Sequence, residues 1–270
     1  MAVGPITGRD SRFHRWQAMM SSRAQRQRLR QFLVQGVRPL NCARAYGWTF
    51  STLIYNADIP LSNWARDTLA AVDCEHVAMS AELIEELGEK TEPVPELLAV
   101  VTMPEERLDR IDIRSDFLGV VFDRPVSPGN TGTLIRSADA FGAHVVITTG
   151  HAADPYDPQA IRGSAGSVFA VPIVRVESVD AVIDHFRSVH IVGTDEHAET
   201  DLAAVDFQRP SLIVIGNETA GLSRHWRERV HTMARIPIGA ASSLDAATAG
   251  SIALYEATGQ RARVTPRPGR

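Results

Sequence analysis

The second half of the chain alternates short apolar runs with helix-like segments, and this alternation restricts the fold more than any other feature of the sequence. The apolar runs lie at 117–122, 144–148, 171–176, 190–193, 212–215 and 233–238. Helical patterns follow five of these six runs, at 131–141, 158–164, 178–188, 223–230 and 244–257. Because the runs are continuously apolar, both faces of the sheet must be covered, which is typical of parallel strands. The pattern predicts an α/β domain built on a mostly parallel sheet.

The first half of the chain has a weaker pattern of the same kind, which predicts a smaller α/β domain over residues 29–105. Strand-like runs at 52–55, 77–79 and 97–101 alternate with helical patterns at 39–46, 62–71 and 80–87. Ser62 stands at the start of one helical pattern, where a serine hydroxyl serves as an N-cap. We therefore divide the chain into a basic, flexible or partly helical arm at 1–28, this domain, a linker at 106–116, a larger domain at 117–262 and a tail at 263–270.

Charge is distributed unevenly along the chain. Residues 1–50 contain nine arginines and one acidic residue, Asp10, and so carry +8; the whole chain carries −4, which leaves −12 for the rest. A basic N-terminal segment is typical of proteins that bind a polyanion, nucleic acid above all. A solvated, frayed arm would have the same composition. The charge alone leaves both interpretations open.

Several familiar classes of protein are disfavoured by what the sequence lacks. No run approaches the roughly 20 apolar residues of a membrane-spanning helix, and the N-terminus has no apolar signal-peptide core. Two cysteines, Cys42 and Cys74, form no disulfide framework, so we expect a cytoplasmic protein. The nucleotide-binding patterns G-x-x-x-x-G-K-[ST] and G-x-G-x-x-G and the hydrolase pattern G-x-S-x-G are absent. His185 and His190 have no third ligand at metal spacing, and we expect no metal.

Three segments directly follow strand-like runs, where a parallel sheet places its functional sites. They are 123–136, 215–223 and 236–245. The first leads through a Pro/Gly turn into a helix beginning near Asn130, with Arg136 one to two turns further on. A helix N-terminus with a nearby arginine is typical of an anion-binding site. An ordinary capped helix with a surface arginine would have the same sequence. The second encloses Glu218 between glycines, as in a loop that approaches a ligand or in a plain turn. The third is a loop of small residues before a long helix.

Together the three segments resemble, in order and spacing, the motifs of the SpoU family of SPOUT methyltransferases. Motif one corresponds to Asn130, Gly132, Arg136 and Gly142, motif two to the run Gly-Asn-Glu-x-x-Gly-Leu-Ser at 216–223, and motif three to Ile236-Pro237-Ile238 with Ser243-Leu244-Asp245. Residues 162–167 are similar to a further Arg-x-Ser-x-Gly segment of the family. Residues 32–36 resemble, more weakly, its ribosomal-protein-like RNA-binding extension.

The resemblance implies a fold and an activity. The fold is α/β: a trefoil-knotted SPOUT domain with a parallel sheet, preceded by a small ribosomal-protein-like α/β domain that binds RNA. The activity is transfer of a methyl group from S-adenosylmethionine to a ribose 2′-hydroxyl of structured RNA, with rRNA favoured and tRNA the alternative substrate. The knot would hold the cofactor, and no metal or membrane would take part. In a homodimer, the active site would receive motif one from the partner subunit.

The resemblance also implies roles for individual residues. Arg136 would contact the target phosphate or ribose and assist its deprotonation, positioned by Asn130. Glu218 and Ser243 would hold the loop and the arginine, and Asp245 completes the catalytic set. The implied cofactor-binding residues are Thr194, Gly216, Asn217, Ile236, Ile238 and Leu244. The implied RNA-binding residues are Arg23, Arg26, Arg28, Arg30 and Arg162.

One position departs from the family pattern, because Asp245 stands where motif three normally has asparagine. An ionised carboxylate cannot donate a hydrogen bond and would repel an RNA phosphate, so we expect Asp245→Asn to preserve or raise activity. If Asp245 instead pairs with Arg136, the same substitution would lower activity. An RNA-binding protein of SPOUT fold with weak or no transferase activity therefore stays an alternative. An oxidoreductase on a similar sheet is a third reading, which lacks its glycine fingerprint.

Overall fold

The computed structural model describes residues 4–88, 93–239 and 243–264, which fall into two units. Unit one contains the described residues up to Glu105 together with Tyr156–Ile161, and unit two contains Glu106–Pro155 and the described residues from Arg162 onward. The segment predicted as a linker, 106–116, belongs to unit two, where Ile111 is buried in the core. No helix of the described residues is long and apolar enough to cross a membrane.

Unit one is built on a mixed sheet of four strands. The strands are β1 (Gln31–Gln35), β2 (Phe50–Asn56), β3 (Glu75–Met79) and β4 (Leu97–Thr102), and the helices are α1 (Ser11–Ser21), α2 (Arg23–Leu29), α3 (Val37–Ala45), α4 (Asn63–Ala71) and α5 (Ala81–Leu87). The spatial order is β1-β4-β2-β3, with β4 antiparallel to β1 and β2 and with β3 parallel to β2. The Ser62 hydroxyl caps α4, as predicted, by accepting a hydrogen bond from the Ala65 N–H at 3.2 Å.

The basic N-terminal segment is helical, in agreement with one of the two predicted alternatives, but it packs into the core instead of forming an arm. Phe13, Trp16 and Met19 lie three residues apart on α1, and each is at most 4% exposed. Residues at this spacing share one face of a helix, so α1 presents an apolar stripe to the core. That core includes Leu33 of β1 and Leu98 of β4. The prediction of an arm failed because it was based on the number of arginines, which lie between the apolar positions, and not on the spacing of the apolar residues.

A segment from far along the chain completes unit one. Arg26 is only 2% exposed; its Nη1 donates to the Met19 carbonyl at 2.7 Å, and its Nη2 lies 3.1 Å from the Asp157 carboxylate. The ring of Tyr156 contacts the ring of Phe32 with centroids 4.8 Å apart. A buried guanidinium needs such a partner because an uncompensated charge in the core is costly. Tyr156–Ile161 therefore supplies both apolar surface and a counter-charge.

Unit two is built on a parallel sheet of seven strands, as the alternating pattern predicted. The strands are β5 (Leu118–Asp123), β6 (Val145–Thr149), β7 (Ile173–Val176), β8 (His190–Thr194), β9 (Thr200–Asp201), β10 (Ser211–Ile215) and β11 (Thr232–Arg235). The helices are α6 (Pro128–Ala140), α8 (Val179–His185), α9 (Arg224–Arg229) and α10 (Ala246–Val264), and the end of α7 (Pro158–Ser164), whose residues up to Ile161 are counted with unit one. The spatial order is β7-β6-β5-β10-β8-β11-β9, and every neighbouring pair is parallel. The two-residue β9 was too short to be predicted.

The strand order brings the three motif segments to one edge of the sheet. The carboxyl ends of β5, β10, β8 and β11 lie side by side there because these neighbours are parallel. Two boundaries differ from prediction: α6 begins at Pro128, capped by Ser127, rather than near Asn130, and β11 ends at Arg235, which leaves residues 236–238 in a loop. The knotted path that the resemblance implies stays a prediction.

Candidate functional site

A cavity of about 340 Å³ lies at this edge of the sheet in unit two, within the usual size range of small-molecule sites. All six residues predicted to bind a cofactor line it: Thr194, Gly216, Asn217, Ile236, Ile238 and Leu244. Two residues predicted as catalytic, Glu218 and Ser243, line it as well. Thr194 ends β8 and Gly216 follows β10, so the parallel sheet brings together residues that are distant in the sequence.

One wall of the cavity is the loop that follows β10. The backbones of Asn217 and Gly221 exchange two hydrogen bonds of 3.0 Å, and the Asn217 Oδ1 accepts from the N–H groups of Thr219 and Ala220 at 2.9 Å. The loop folds so tightly that a Cβ added to Gly216 would lie 2.4 Å from the backbone of Gly221. Only glycine fits at this position. The glycines of the motif therefore serve a compact backbone turn beside the cavity.

Asp123 and Arg124, which open the first predicted segment but were given no role from the sequence, fasten this loop to the end of β5. Asp123 is 1% exposed, and its carboxylate accepts hydrogen bonds from the Ser223 N–H at 2.8 Å and from the Thr149 hydroxyl at 3.0 Å. The Arg124 guanidinium donates to the Gly221 carbonyl at 3.0 Å. Their position directly after a strand was the available signal, but neither residue belongs to the motif patterns.

Three predicted catalytic residues form a hydrogen-bonded cluster. The Glu218 carboxylate accepts from the backbone N–H groups of Val126 and Ser127, at 3.1 and 3.2 Å, and from Asn130 Nδ2 at 3.3 Å. The same Nδ2 donates to the Asp245 carboxylate at 2.9 Å. Two carboxylates facing one amide group fix that group as the donor. Glu218 thus holds the start of α6, and Asn130 connects two loops at the sheet edge.

Asp245 also begins the long helix α10. Its Oδ1 accepts a hydrogen bond from the Thr248 N–H at 3.0 Å, as an N-cap does. Both contacts of its carboxylate, to Thr248 and to Asn130, use it as an acceptor. Within the chain Asp245 therefore serves as a hydrogen-bond acceptor and helix cap, and it pairs with Asn130 and not with Arg136.

Arg136 stands apart from this cluster. It is exposed on α6, six residues after Asn130 and hence about 120° away around the helix. In the described part of the chain its side chain has no hydrogen bond or ion pair. Within one chain, neither Glu218 nor Ser243 contacts this arginine among the described residues, and the expectation that they hold it stays a prediction. Ser243 is itself exposed, at the cavity wall.

The five arginines predicted to bind RNA differ in their exposure. Arg28 and Arg162 are exposed, and Arg23 and Arg30 are half-buried. The Arg30 guanidinium donates to the Pro104 carbonyl. Arg26 is buried against Met19 and Asp157, so its assignment to RNA is wrong. The physical reason is the apolar face of α1, which folds this part of the chain into a core.

Three charged residues and a histidine that sequence reasoning missed also line the cavity: Asp195, Glu196, Arg227 and His197. With Glu218 they contribute three carboxylates and one guanidinium, so the lining is net acidic and fits a ligand with cationic groups. These residues lie after β8 and on α9, close to strand ends but outside the three motif patterns. Among the described residues, no three His, Cys, Asp or Glu side chains are grouped as metal ligands.

Comparison with known proteins assigns both parts of the chain. Residues 118–255 match the SpoU rRNA Methylase family, and residues 10–99 match the SpoU L30e-like domain. A 23S rRNA (uridine(2479)-2′-O)-methyltransferase of Streptomyces viridochromogenes is 51% identical over 268 residues, which are 96% of this chain and 93% of the relative.

Solved structures agree with this assignment. The SpoU methyltransferase AviRb from Streptomyces viridochromogenes, in complex with the cofactor AdoMet, superposes with a TM-score of 0.90 at 50% identity and covers 96% of this chain and 100% of its own. An AdoMet-bound rRNA methyltransferase from Sinorhizobium meliloti gives a TM-score of 0.86 at 28% identity, over 97% of this chain and 98% of its own. The chain therefore belongs to the SpoU rRNA methylase family, with an L30e-like domain at its N-terminus.

Proposed function

We propose that this chain methylates a ribose 2′-hydroxyl of 23S rRNA and that the cavity at the ends of β8, β10 and β11 holds the methyl donor. As a member of the family, the chain is an S-adenosylmethionine-dependent rRNA 2′-O-methyltransferase. The observation that carries the assignment of the site is the convergence of all six predicted cofactor contacts on one cavity. The 23S substrate is proposed from the relative that is 51% identical.

The lining of the cavity fits S-adenosylmethionine. Apolar side chains, Ile215, Ile236, Ile238 and Leu244, offer surface for an adenine ring. Carboxylates, including that of Glu218, complement the ammonium and sulfonium groups. When bound, S-adenosylmethionine supplies a methyl group already activated on sulfur, so the protein has to position the ribose and accept the hydroxyl proton.

We assign the proposed chemical roles from the contacts of each residue. Glu218, Asn130 and Asp245 bond to one another and to backbone groups, which suits them to orient the loops of the site. Arg136 has no such contacts and is exposed, which suits it to meet a ribose or phosphate of the substrate. Because Arg136 lies away from its own cluster, we propose a homodimer in which this arginine serves the cavity of the partner subunit.

We propose that the rRNA is bound by unit one, through a face different from that predicted. Residues 11–57 contain eight arginines and no Asp or Glu. Two of these arginines, Arg38 and Arg44, are exposed on α3 and have no ion pair in the described residues. Tyr46, directly after α3, is 57% exposed and offers a ring on which an unpaired base can stack. A ribosomal substrate supports a cytoplasmic location for the enzyme.

The Arg136→Ala variant tests the proposed active site. We expect its methyl transfer to 23S rRNA to fall about a thousandfold, because a residue acting only on the reacting ribose affects turnover. Its affinity for S-adenosylmethionine should stay within about twofold of wild type. Tritiated-methyl incorporation and isothermal titration give the two values. Arg187→Ala, at a surface arginine that is 77% exposed in unit two, is the matched control. Lost cofactor binding with retained turnover would overturn the assignment.

Mixing two inactive variants tests the proposed homodimer. Arg136→Ala keeps the cavity, and Gly216→Ala keeps the arginine. If the arginine of one subunit serves the cavity of the other, a heterodimer of the two variants contains one complete site, and mixing restores methylation. If Arg136 serves its own subunit, mixing restores nothing.

A further inference from the structure

An ion pair joins two walls of the cavity. Asp195 lies directly after β8, in the wall formed by residues 194–197, and its side chain is only 7% exposed. Arg227 lies on α9, behind the loop that follows β10, and its side chain is 46% exposed. The Arg227 Nη1 contacts the Asp195 Oδ2. The pair thus crosses between two segments that are far apart in sequence.

Each partner also holds its own wall. The Asp195 Oδ1 accepts a hydrogen bond from the His197 N–H at 2.8 Å, which closes the turn after β8. The Arg227 Nε donates to the Leu222 carbonyl at 3.2 Å, at the end of the opposite loop. That loop already lies against β8, since a Cβ added to Gly193 would be 2.8 Å from a methyl group of Leu222. The guanidinium therefore connects the loop and the turn at once.

The other two arginines of α9 have different partners. Arg224 pairs with Glu228 one turn further along the same helix and is 90% exposed. Arg229 pairs with Asp180 of α8 at 3.0 Å. Among the described residues of α9, only Arg227 lines the cavity. The contact of Arg227 with the nearly buried carboxylate of Asp195 therefore distinguishes it from the other arginines of α9, whose partners lie elsewhere.

We propose that the Asp195–Arg227 pair is a positioning latch, which holds the loop after β10 at a fixed distance from the end of β8 and so sets the width of the cofactor cavity. The inference rests on the proposed assignment of this cavity to S-adenosylmethionine. Arg227 acts through Asp195 and Leu222 rather than by contact with the cofactor. Loss of either charge frees the loop, and the binding of cofactor must then also order it.

Two conservative variants remove the ion pair with little other change. Asp195→Asn keeps an oxygen that can accept from the His197 N–H, so the turn after β8 is retained. Arg227→Gln removes the guanidinium, while α9 keeps its serine N-cap, Ser223. Arg224→Gln removes an equal charge from the same helix outside the cavity and is the matched control. Arg227→Lys keeps the charge but not the paired donors and is the softer variant.

The test is a double-mutant cycle on the dissociation constant of S-adenosylmethionine, measured by isothermal titration. We expect each single variant to raise the constant about tenfold, and the double variant to raise it no more than either single one, because both remove the same interaction. Arg227→Lys should have a smaller effect, and Arg224→Gln none. In steady-state assays the KM for S-adenosylmethionine should rise while kcat and the KM for rRNA stay near wild type.

Other outcomes separate the alternatives. Additive effects, about a hundredfold in the double variant, would mean that Arg227 contacts the cofactor directly, and the latch would be wrong. Unchanged constants with a lowered unfolding temperature would leave the pair a purely structural contact and also overturn the proposal. If Arg227→Gln fails to fold, the dissociation constants of Asp195→Asn and Arg227→Lys still test the proposal. Wild-type protein that binds no S-adenosylmethionine would refute the proposed site itself, which is a different result from unaffected variants.

Discussion

The two units are both α/β, but they differ in how their sequences relate to their surfaces. In unit two, most of the residues that line the cavity come from short motifs placed directly after parallel strands, and the sheet brings those motifs to one edge. In unit one, the prominent signal was positive charge, and part of that charge is inside: Arg26 is 2% exposed. A motif tied to a strand end has its position determined by topology. The number of arginines in a segment, by contrast, does not show which of them are buried and which lie on the surface.

The first way to test this comparison is to remove the apolar stripe that the charge concealed. Trp16→Ala should destabilise unit one by about 3–5 kcal/mol, because a large buried side chain is lost and a cavity is left. Denaturant unfolding monitored in unit one measures the change, while S-adenosylmethionine binding by unit two should persist. Arg15→Ala, at the exposed neighbouring position, should change the free energy of unfolding by less than about 0.5 kcal/mol. Equal effects at the two positions would contradict a packed α1.

The packing of α1 also predicts the effect of truncation. Deleting residues 1–28 removes Phe13, Trp16 and Met19 from the core and should unfold unit one, besides removing positive charge.

A second test is directed at the motif that the sequence located well. Gly216→Ala places a methyl group 2.4 Å from backbone atoms of Gly221 and Leu222, and a closed loop cannot move aside as a flexible side chain would. We expect the affinity for S-adenosylmethionine to fall about a hundredfold. Isothermal titration measures it. Gly239→Ala is the control, because a Cβ there has no atom within 4 Å. Normal binding by Gly216→Ala would mean that this loop does not shape the site.

A third test asks whether charge in unit one acts where it is exposed. Replacing Arg38 and Arg44 together by alanine should weaken rRNA binding about tenfold and lower the slope of log affinity against log salt by about 1.4 to 1.8, since two phosphate contacts are lost. Filter binding across salt concentrations gives both values. Replacing Arg187 and Arg224, two exposed arginines of unit two, removes the same charge and should leave the slope unchanged. Equal slopes for both double variants would show that α3 does not contact the RNA.

The smallest expected effect concerns Asp245, and the structure reverses the expectation from sequence. Its carboxylate only accepts hydrogen bonds, from Asn130 Nδ2 and from the Thr248 N–H. The two donors face different oxygens of the carboxylate, and asparagine replaces one of these oxygens by an NH2 group that cannot accept, so Asp245→Asn should lower methyl transfer about fivefold. Single-turnover methylation at several pH values checks this. Activity at or above the wild-type level would restore the interpretation in which the acid only repels RNA phosphate.

The predictable part of the molecule followed from periodicity and from motifs at strand ends. Continuous apolar runs predicted the parallel sheet, and two of the three predicted loops line the cavity. The contribution of Asp195 and Arg227 was not predictable, because an ion pair across the sheet edge depends on strand order, which no local pattern specifies. The separation of Arg136 from Asn130 was missed for a similar reason. The motif specifies only that the two residues are six positions apart, and in a helix that spacing places their side chains about 120° apart around the axis.

The position of Tyr156–Ile161 in the sequence affects how unit one folds during synthesis. Unit one needs this segment, yet the 50 residues of Glu106–Pro155 are synthesised between Glu105 and its first residue. At translation rates of 5–20 residues per second, the ribosome takes roughly 3 to 11 seconds to pass from Glu105 to the end of the segment. During that interval the nascent chain holds Arg26 without the carboxylate of Asp157, and Phe32 without the ring of Tyr156. The N-terminal unit therefore cannot mature in simple N-to-C order, and its completion is timed by the synthesis of the unit that follows it.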